Sequence, residues 1–201
     1  MKRAVFLDRD GVINPPVYNP ETSEHESPHY PEDYSVYPTV LKALKSLQDN
    51  NYLLFVVSNQ PSYAKGKIPL ENIQAVEQVL SEYFDDNGVV ISKYYYCYHH
   101  PDGIVDGYSG HCRCRKPGTL FLEEAIEKFS LDARDCWFIG DRDTDVTCGK
   151  AMGMRTIQVR NKYVGVHAGK ETPDWHAANV YEAAEAIIKW KVESGEWRVE
   201  S

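Results

Sequence analysis

No stretch of this chain is apolar for long enough to cross a bilayer. The run that follows Lys2 and Arg3 lasts only from Ala4 to Leu7 before acids arrive, too short for the core of a secretory signal. Basic residues are in short supply as well: 22 Lys and Arg stand against 30 Asp and Glu, a formal net charge of -8. That balance excludes a general affinity for nucleic-acid phosphates, and it requires that any small anionic ligand meet a local cationic pocket. There is neither an internal repeat nor a low-complexity tract. The expectation is a cytoplasmic protein with no membrane or nucleic-acid partner; the oligomeric state is not legible, and a monomer is compatible with the sequence. In a reducing compartment, clustered cysteines point to metal ligation rather than disulfides, and the five here are Cys97, Cys112, Cys114, Cys136 and Cys148.

What is present is an alternation of short apolar runs and helical stripes. With 42% apolar content over 201 residues the chain can bury one sizeable core, which predicts a single domain over 1–201. Strands are expected at Ala4 to Leu7, Tyr52 to Val57, Tyr94 to Tyr96, Cys136 to Ile139 and Met154 to Val159. Between and after them, helical spacing appears around Val40 to Leu47, Leu70 to Phe84, Gly118 to Phe129, from the acids after Gly140 to Met152, and Val180 to Val192. That order implies an α/β fold with a mostly parallel sheet flanked by helices. Residues 15–38 carry Pro15, Pro16, Pro20, Pro28, Pro31 and Pro38 and read as a long loop that leaves the first strand and covers the substrate. His25, His29, Tyr30 and Tyr34 are its candidates for facing a leaving group.

The chemistry concentrates where apolar runs end. The first discharges into Asp8-Arg9-Asp10-Gly11, which places two carboxylates at the carboxyl end of a buried strand, the usual ligand crevice of open α/β sheets. One can serve as nucleophile and the other as proton carrier, with Gly11 turning the backbone tightly beside them. A second acidic group, Asp141, Asp143 and Asp145 with Arg142 among them, follows the fourth strand and would reach the same sheet edge. Carboxylates massed there call for a hard cation such as Mg²⁺, although acids at this position also suit a helix N-terminus, a reading that fits Asp143 best. Ser58, the backbone amides of Asn59 and Gln60, and the pair Arg115-Lys116 are the candidate binders of phosphoryl oxygens. Cys97, His99, Cys112 and Cys114 form a Cys₃His set suited to tetrahedral Zn²⁺, with His100 as the alternative imidazole. Four protein ligands leave no open position, so this metal is expected to be structural and to fix the loop presenting Arg115 and Lys116. Cys136 and Cys148 read as small buried apolar groups.

Taken together, Asp8-Arg9-Asp10-Gly11, Ser58-Asn59-Gln60, Arg115-Lys116-Pro117 and Gly140-Asp141 with Asp145 resemble the four ordered motifs of haloacid-dehalogenase (HAD) superfamily phosphatases over nearly the whole chain. The resemblance implies a Rossmann-like HAD fold without a large cap domain, carrying a zinc-binding loop insertion at 97–117. It also implies Asp8 as nucleophile forming an aspartyl-phosphate, Asp10 as general acid and base, and Ser58 and Lys116 on the phosphoryl oxygens. Mg²⁺ would be held by Asp8, the Asp10 backbone carbonyl and Asp141, with Asp145 orienting either the metal shell or Lys116. Asn59, Gln60, Arg115 and Arg142 are implied substrate contacts, with Lys65 and Arg115 as candidates for a second phosphate.

Cys97-Tyr98-His99-His100-Pro101 followed by Cys112-Arg113-Cys114 narrows the resemblance to the branch holding heptose-bisphosphate and histidinol-phosphate phosphatases. That branch favours His99 as the zinc ligand. The long segment between His99 and Cys112 is similar to the heptose-bisphosphate group, whereas Gly140-Asp141-Arg142-x-Thr144-Asp145 leans toward the histidinol-phosphate group. The expected substrate is D-glycero-D-manno-heptose 1,7-bisphosphate, losing its 7-phosphate; histidinol phosphate or another sugar phosphate is the alternative, and a catalytically silent binding module is a third reading. Tyr63, where the heptose enzymes carry a small residue, is expected to change the pocket's shape.

Overall fold

The computed structural model describes residues 2–20, 22–161 and 171–193. Its centre is a parallel sheet built from β1 (Arg3–Leu7), β4 (Tyr52–Asn59), β5 (Ile91–Cys97), β6 (Trp137–Gly140), β7 (Arg155–Val159) and β8 (Trp175–Ala177). The spatial order is β5-β4-β1-β6-β7-β8, every neighbouring pair parallel. Between β1 and β4 lies a separate antiparallel hairpin, β2 (Val17–Asn19) with β3 (Glu24–Glu26). The helices are α1 (Val40–Asp49), α2 (Leu70–Asp86), α3 (Leu120–Phe129), α4 (Asp143–Ala151) and α5 (Val180–Glu193).

Because side chains alternate across a strand, β1 feeds two cores at once. Val5 and Leu7 pack with Leu44 and Leu47 of α1, Leu80 and Phe84 of α2, and Ala183 and Ile187 of α5. Ala4 and Phe6 pack on the opposite face with Leu122 and Ala125 of α3 and Cys148 of α4. Phe6 also stacks on Phe55, ring centroids 4.8 Å apart. Cys136 and Cys148 are buried in this second core as the sequence predicts. Continuous apolar strands are what a sheet covered on both faces demands.

The chain steps from β1 to β4 on one side and reaches β6 on the other, so the tip of β1 opens into the crevice where strand order reverses. Asp8 is the first residue beyond that tip. The predicted elements are all present, with shifted ends: β4 continues through Ser58 to Asn59, and α3 starts at Leu120 rather than Gly118. Two features depart from expectation. The segment 15–38 contains the β2–β3 hairpin and a short 3₁₀ turn at Pro31–Asp33, and β8 adds a sixth strand at the sheet edge. Among the described residues, no helix is long and apolar enough to cross a membrane.

Candidate active site

Three strand ends meet around one ammonium group. Asp8 lies just past β1 and accepts hydrogen bonds at Oδ1 from the Arg9 amide at 2.7 Å and from Lys116 Nζ at 2.9 Å. Lys116 Nζ also contacts Asp145 Oδ1 at 2.6 Å and donates to the Val57 carbonyl at 2.8 Å. The ammonium is thus shared among three protein oxygens. Asp8, Asp141 and Asp145 are buried, and each offers a carboxylate oxygen within 4.8 Å of the others. Burial pushes the Asp8 carboxyl up to about 6 against the opposing pull of Lys116, with the Asp145 charge adding to the rise. Asp141 is pushed up to about 7 by burial first and by Asp8 and Asp145 next.

Asp141 Oδ2 accepts from Asn161 Nδ2 at 2.9 Å, while its Oδ1 is buried with no hydrogen-bond partner among the described residues. An orphaned anionic oxygen facing two further carboxylates is a donor set that fits a hard divalent cation. Two glycines make the approach possible. Gly11 has φ +86°, and a Cβ there would fall 2.2 Å from Asp141 Oδ2; a Cβ on Gly140 would fall 2.1 Å from the Cβ of Asp145. Asp143 opens α4 as its first residue, whereas Asp145 accepts from the Arg142 amide at 3.0 Å, so Asp145 both caps the helix and braces Lys116.

Asp10 is held quite differently. Its Oδ1 accepts from Arg9 Nε at 3.1 Å and Asn14 Nδ2 at 2.9 Å; its Oδ2 accepts from Ser27 Oγ at 2.6 Å, Gln60 Nε2 at 2.8 Å and Arg9 Nη2 at 3.2 Å. Burial alone would raise its carboxyl, but the Arg9 charge and these donors prevail and hold it down at about 2. Arg9, fully buried, also donates to Gln60 Oε1 at 2.8 Å. Arg9, Asn14 and Ser27 were not singled out by the sequence as site residues. Arg9 was legible as an interior cation beside two acids; nothing in the sequence indicated that Ser27 returns to Asp10.

Ser58 is buried beside them and accepts at Oγ from Gln60 Nε2 at 3.0 Å. Two expected substrate contacts turn out to face protein partners. The Gln60 amide, a candidate for phosphoryl oxygen, donates instead to the Cys97 carbonyl at 2.7 Å and prolongs the β4–β5 pairing. Asn59 exchanges two hydrogen bonds with the backbone of Lys116, Oδ1 accepting from its amide at 3.0 Å and Nδ2 donating to its carbonyl at 3.2 Å. The end of β4 therefore positions Lys116.

A cavity of about 1300 Å³ opens over these groups and includes Asp8, Asp10, Ser58, Lys116 and Asp141 in its walls. Lys65, Lys67, Arg115 and Arg142 line it too, so the wall interleaves basic groups that can meet an anionic ligand with the acids of the site. Arg115 donates to the His99 carbonyl at 3.3 Å, and Arg142 is largely exposed, its Nε 3.9 Å from Asp141 Oδ1. From the 15–38 segment, Glu24, Glu26 and Ser27 form the lining rather than the aromatic residues. His29 Nε2 meets Ser62 Oγ at 3.0 Å, Tyr34 is half-buried and donates to Asn14 at 3.4 Å, His25 lies against Tyr18 on the hairpin, and Tyr30 is exposed.

Beside the cavity, Cys97, His99, Cys112 and Cys114 converge. The sulfur separations are 3.2 Å for Cys97–Cys114 and Cys112–Cys114 and 3.6 Å for Cys97–Cys112. His99 Nδ1 lies 3.8 Å from Cys97 Sγ and 3.6 Å from Cys114 Sγ. A tetrahedron of Zn–S bonds of ~2.3 Å has edges near ~3.8 Å, so the set fits Zn²⁺ with little adjustment. Of the two adjacent histidines, His99 faces the thiols, while His100 Nδ1 accepts from the Asp102 amide at 3.1 Å and lines the cavity. Tyr63 does not enter the cavity wall: it packs edge-on against Tyr108, centroids 4.9 Å apart, and Tyr108 in turn lies 5.5 Å from the His99 ring. The Ala64 carbonyl accepts from the Ile104 amide at 2.7 Å. The loop after β4 is thereby docked onto the thiol-bearing loop.

The comparisons with known proteins agree with this arrangement. Residues 113–187 match the family model described as HAD-hydrolase-like. A D-glycero-beta-D-manno-heptose-1,7-bisphosphate 7-phosphatase of Haemophilus ducreyi is 35% identical over 156 residues, 77% of this chain and 81% of the relative. A D-glycero-alpha-D-manno-heptose-1,7-bisphosphate 7-phosphatase of Photorhabdus laumondii is 32% identical over 152 residues, 76% of this chain and 79% of the relative. The crystal structure of a D,D-heptose 1,7-bisphosphate phosphatase from B. bronchiseptica, complexed with magnesium and phosphate, superposes with a TM-score of 0.75 at 22% identity, covering 94% of this chain and 99% of that one.

A carboxylate at the switch point of a parallel sheet, braced by a buried lysine and faced by two more acids, defines a phosphatase of the HAD type. The chain belongs to the HAD phosphatases, among relatives that carry the name of heptose-bisphosphate 7-phosphatases.

Proposed function

We propose that this phosphatase removes the 7-phosphate of D-glycero-D-manno-heptose 1,7-bisphosphate through an aspartyl-phosphate on Asp8. The observation that carries the chemistry is the placement of Asp8 in the wall of the cavity, held by Lys116 and grouped with Asp141, whose Oδ1 has no hydrogen-bond partner among the described residues. The named relatives support the substrate class.

In the first half, an Asp8 oxygen attacks phosphorus while the ester P–O bond breaks, and the leaving alkoxide takes a proton from Asp10. In the second, water gives a proton to Asp10 and attacks phosphorus, which frees inorganic phosphate and restores the Asp8 carboxylate. The five hydrogen bonds on Asp10 favour its anion, the form the second half requires; its acid role calls for the arriving substrate to displace some of them. Ser58 and Lys116 hold phosphoryl oxygens, Lys116 exchanging one of its three protein partners for the ligand. Asn59, Gln60 and Asp145 position Lys116, Asp10 and Ser58. Arg115, Arg142 and Lys65 meet the remainder of the anionic substrate.

Asp8, Asp141 and the Asp10 carbonyl would hold Mg²⁺, which when bound neutralises phosphoryl charge. Cys97, His99, Cys112 and Cys114 would hold Zn²⁺ in a closed structural site that fixes the approach of Arg115 and Lys116. The test is phosphate release, read as relative kcat/KM, over heptose 1,7-bisphosphates of both anomers, histidinol phosphate and hexose phosphates. A heptose bisphosphate leading by at least an order of magnitude is the expected result. Preference for histidinol phosphate would overturn the substrate assignment, and no hydrolysis of any ester by folded, metal-loaded protein would overturn the enzymatic reading.

A further inference from the structure

The geometry points to Ser27 as a positioning residue for Asp10, delivered to the site by the β2–β3 hairpin. The inference rests on the assignment of Asp10 as proton carrier above. Three contacts, from residues 26, 27 and 29, fasten the end of the hairpin across the cavity. Glu26 Oε1 meets Lys67 Nζ at 2.6 Å, Ser27 Oγ meets Asp10 Oδ2 at 2.6 Å, and His29 Nε2 meets Ser62 Oγ at 3.0 Å. The flanking pairs fix the backbone on either side of Ser27, so its hydroxyl reaches Asp10 from a defined direction.

Ser27 differs from every other partner of Asp10. Arg9, Asn14 and Gln60 present N–H groups, which donate and never accept, and they come from the framework around β1 and β4. The hydroxyl both donates and accepts, and it comes from the wall of the substrate cavity. It can therefore keep hold of Asp10 while the carboxyl group serves the leaving oxygen and, later, the attacking water. Ser27 retains its own proton over the cycle; the proton that moves belongs to Asp10. A hydrogen bond from the 15–38 segment to the proton carrier also makes the rate of alkoxide departure sensitive to how that segment is seated.

Departing alkoxides need a proton and p-nitrophenolate does not, which separates positioning of the acid from a general structural effect. The experiment compares kcat and KM of wild type, Ser27→Ala, Ser27→Thr and Asp10→Asn on D-glycero-D-manno-heptose 1,7-bisphosphate, or the best alkyl phosphate of the panel above, and on p-nitrophenyl phosphate. Ser27→Ala should lose about tenfold in kcat on the alkyl phosphate, with little change in KM, and several-fold less on the aryl phosphate. Ser27→Thr, which keeps the hydroxyl, should recover most of the alkyl rate. Asp10→Asn should show the same bias more strongly. Equal losses on the two esters in Ser27→Ala, or no loss at all, alongside a biased Asp10→Asn, overturn the role of Ser27 alone. Because Asp10 also serves the second half, which is common to both esters, the bias is read in kcat/KM, which reports the first half alone; an Asp10→Asn unbiased in kcat/KM overturns the assignment of Asp10 and this inference with it.

Discussion

The carboxylates around Asp8 and the thiols around Cys97 both gather acidic groups in a small volume, yet the two clusters manage their charge in opposite ways. Lys116 sits inside the first, touching Asp8 and Asp145, so part of the negative charge is already balanced by the chain itself. The second holds three sulfurs and an imidazole with no cation among them; Arg115, next in sequence, turns its guanidinium to the His99 carbonyl. Burial pushes the Cys97 thiol well above its usual range, so a thiolate at that position calls for a metal's charge. The first cluster carries its own counter-charge; the second would gain one from a bound metal. Loss of Mg²⁺ should therefore silence the enzyme with its fold intact, whereas loss of Zn²⁺ should loosen the fold first.

The largest expected effect breaks the comparison at its catalytic end. Asp8→Asn should lower kcat by at least ~10⁴-fold while zinc content, measured by elemental analysis, is unchanged. Burial of an anion beside Asp145 and Asp141 is costly, so the same variant without added Mg²⁺ should melt higher than wild type at pH 8, by about 2–4 °C for each kcal/mol relieved. A lower Tm would mean that Lys116 depends on Asp8 more than on Asp145. Next comes Cys112→Ser, which should lose zinc and several kcal/mol of stability, seen as a broad fall in Tm, with activity falling as the 97–117 loop releases Lys116. Retention of both fold and activity in zinc-free protein would remove the proposed coupling.

Asn59→Ala tests the bridge between the clusters. It deletes both hydrogen bonds to the Lys116 backbone and should cost about 1–2 kcal/mol of stability and roughly tenfold in kcat, with zinc retained. The smallest effect is in pH. Asp8 and Asp141 have carboxyls raised to about 6 and about 7 from ordinary values near 3.8, so their contribution to stability is complete below about pH 4. It is lost as pH rises through 6 and 7. Zinc-loaded protein without Mg²⁺ should thus melt lower at pH 8 than at pH 5 on account of these groups, and saturating Mg²⁺ should shrink the difference. A slope unaltered by Mg²⁺ or by Asp8→Asn would place its origin elsewhere.

How much of this was legible follows from burial. β1, β4 and β6 are covered on both faces, which forces continuous apolar runs, and their ends mark Asp8, Ser58 and Asp141 without ambiguity. β8 and the hairpin strands are three residues each, too short for a periodic signal, and their residues are largely exposed. The protein partners of Asn59 and Gln60 were not legible because sequence shows which polar groups are present but not which partners they meet. A reciprocal pairing with the backbone of residue 116 spans a separation of 57. Tyr63 was read as reshaping the cavity and instead docks on Tyr108 of the thiol-bearing loop, a contact that exists only once that loop has folded. Ser27 was invisible for the same reason.

Gly11 and Gly140 carry a consequence for inheritance. Any side chain at either position would drive a carbon into Asp141 or Asp145, and at Gly11 the backbone angle adds a second penalty. No single-base change in either codon that alters the amino acid should yield a working allele, while the neighbouring Val12 or Arg142 codons should tolerate some. A saturation library selected for function ought to show two columns reduced to one letter, one set by Asp141 and the other by Asp145.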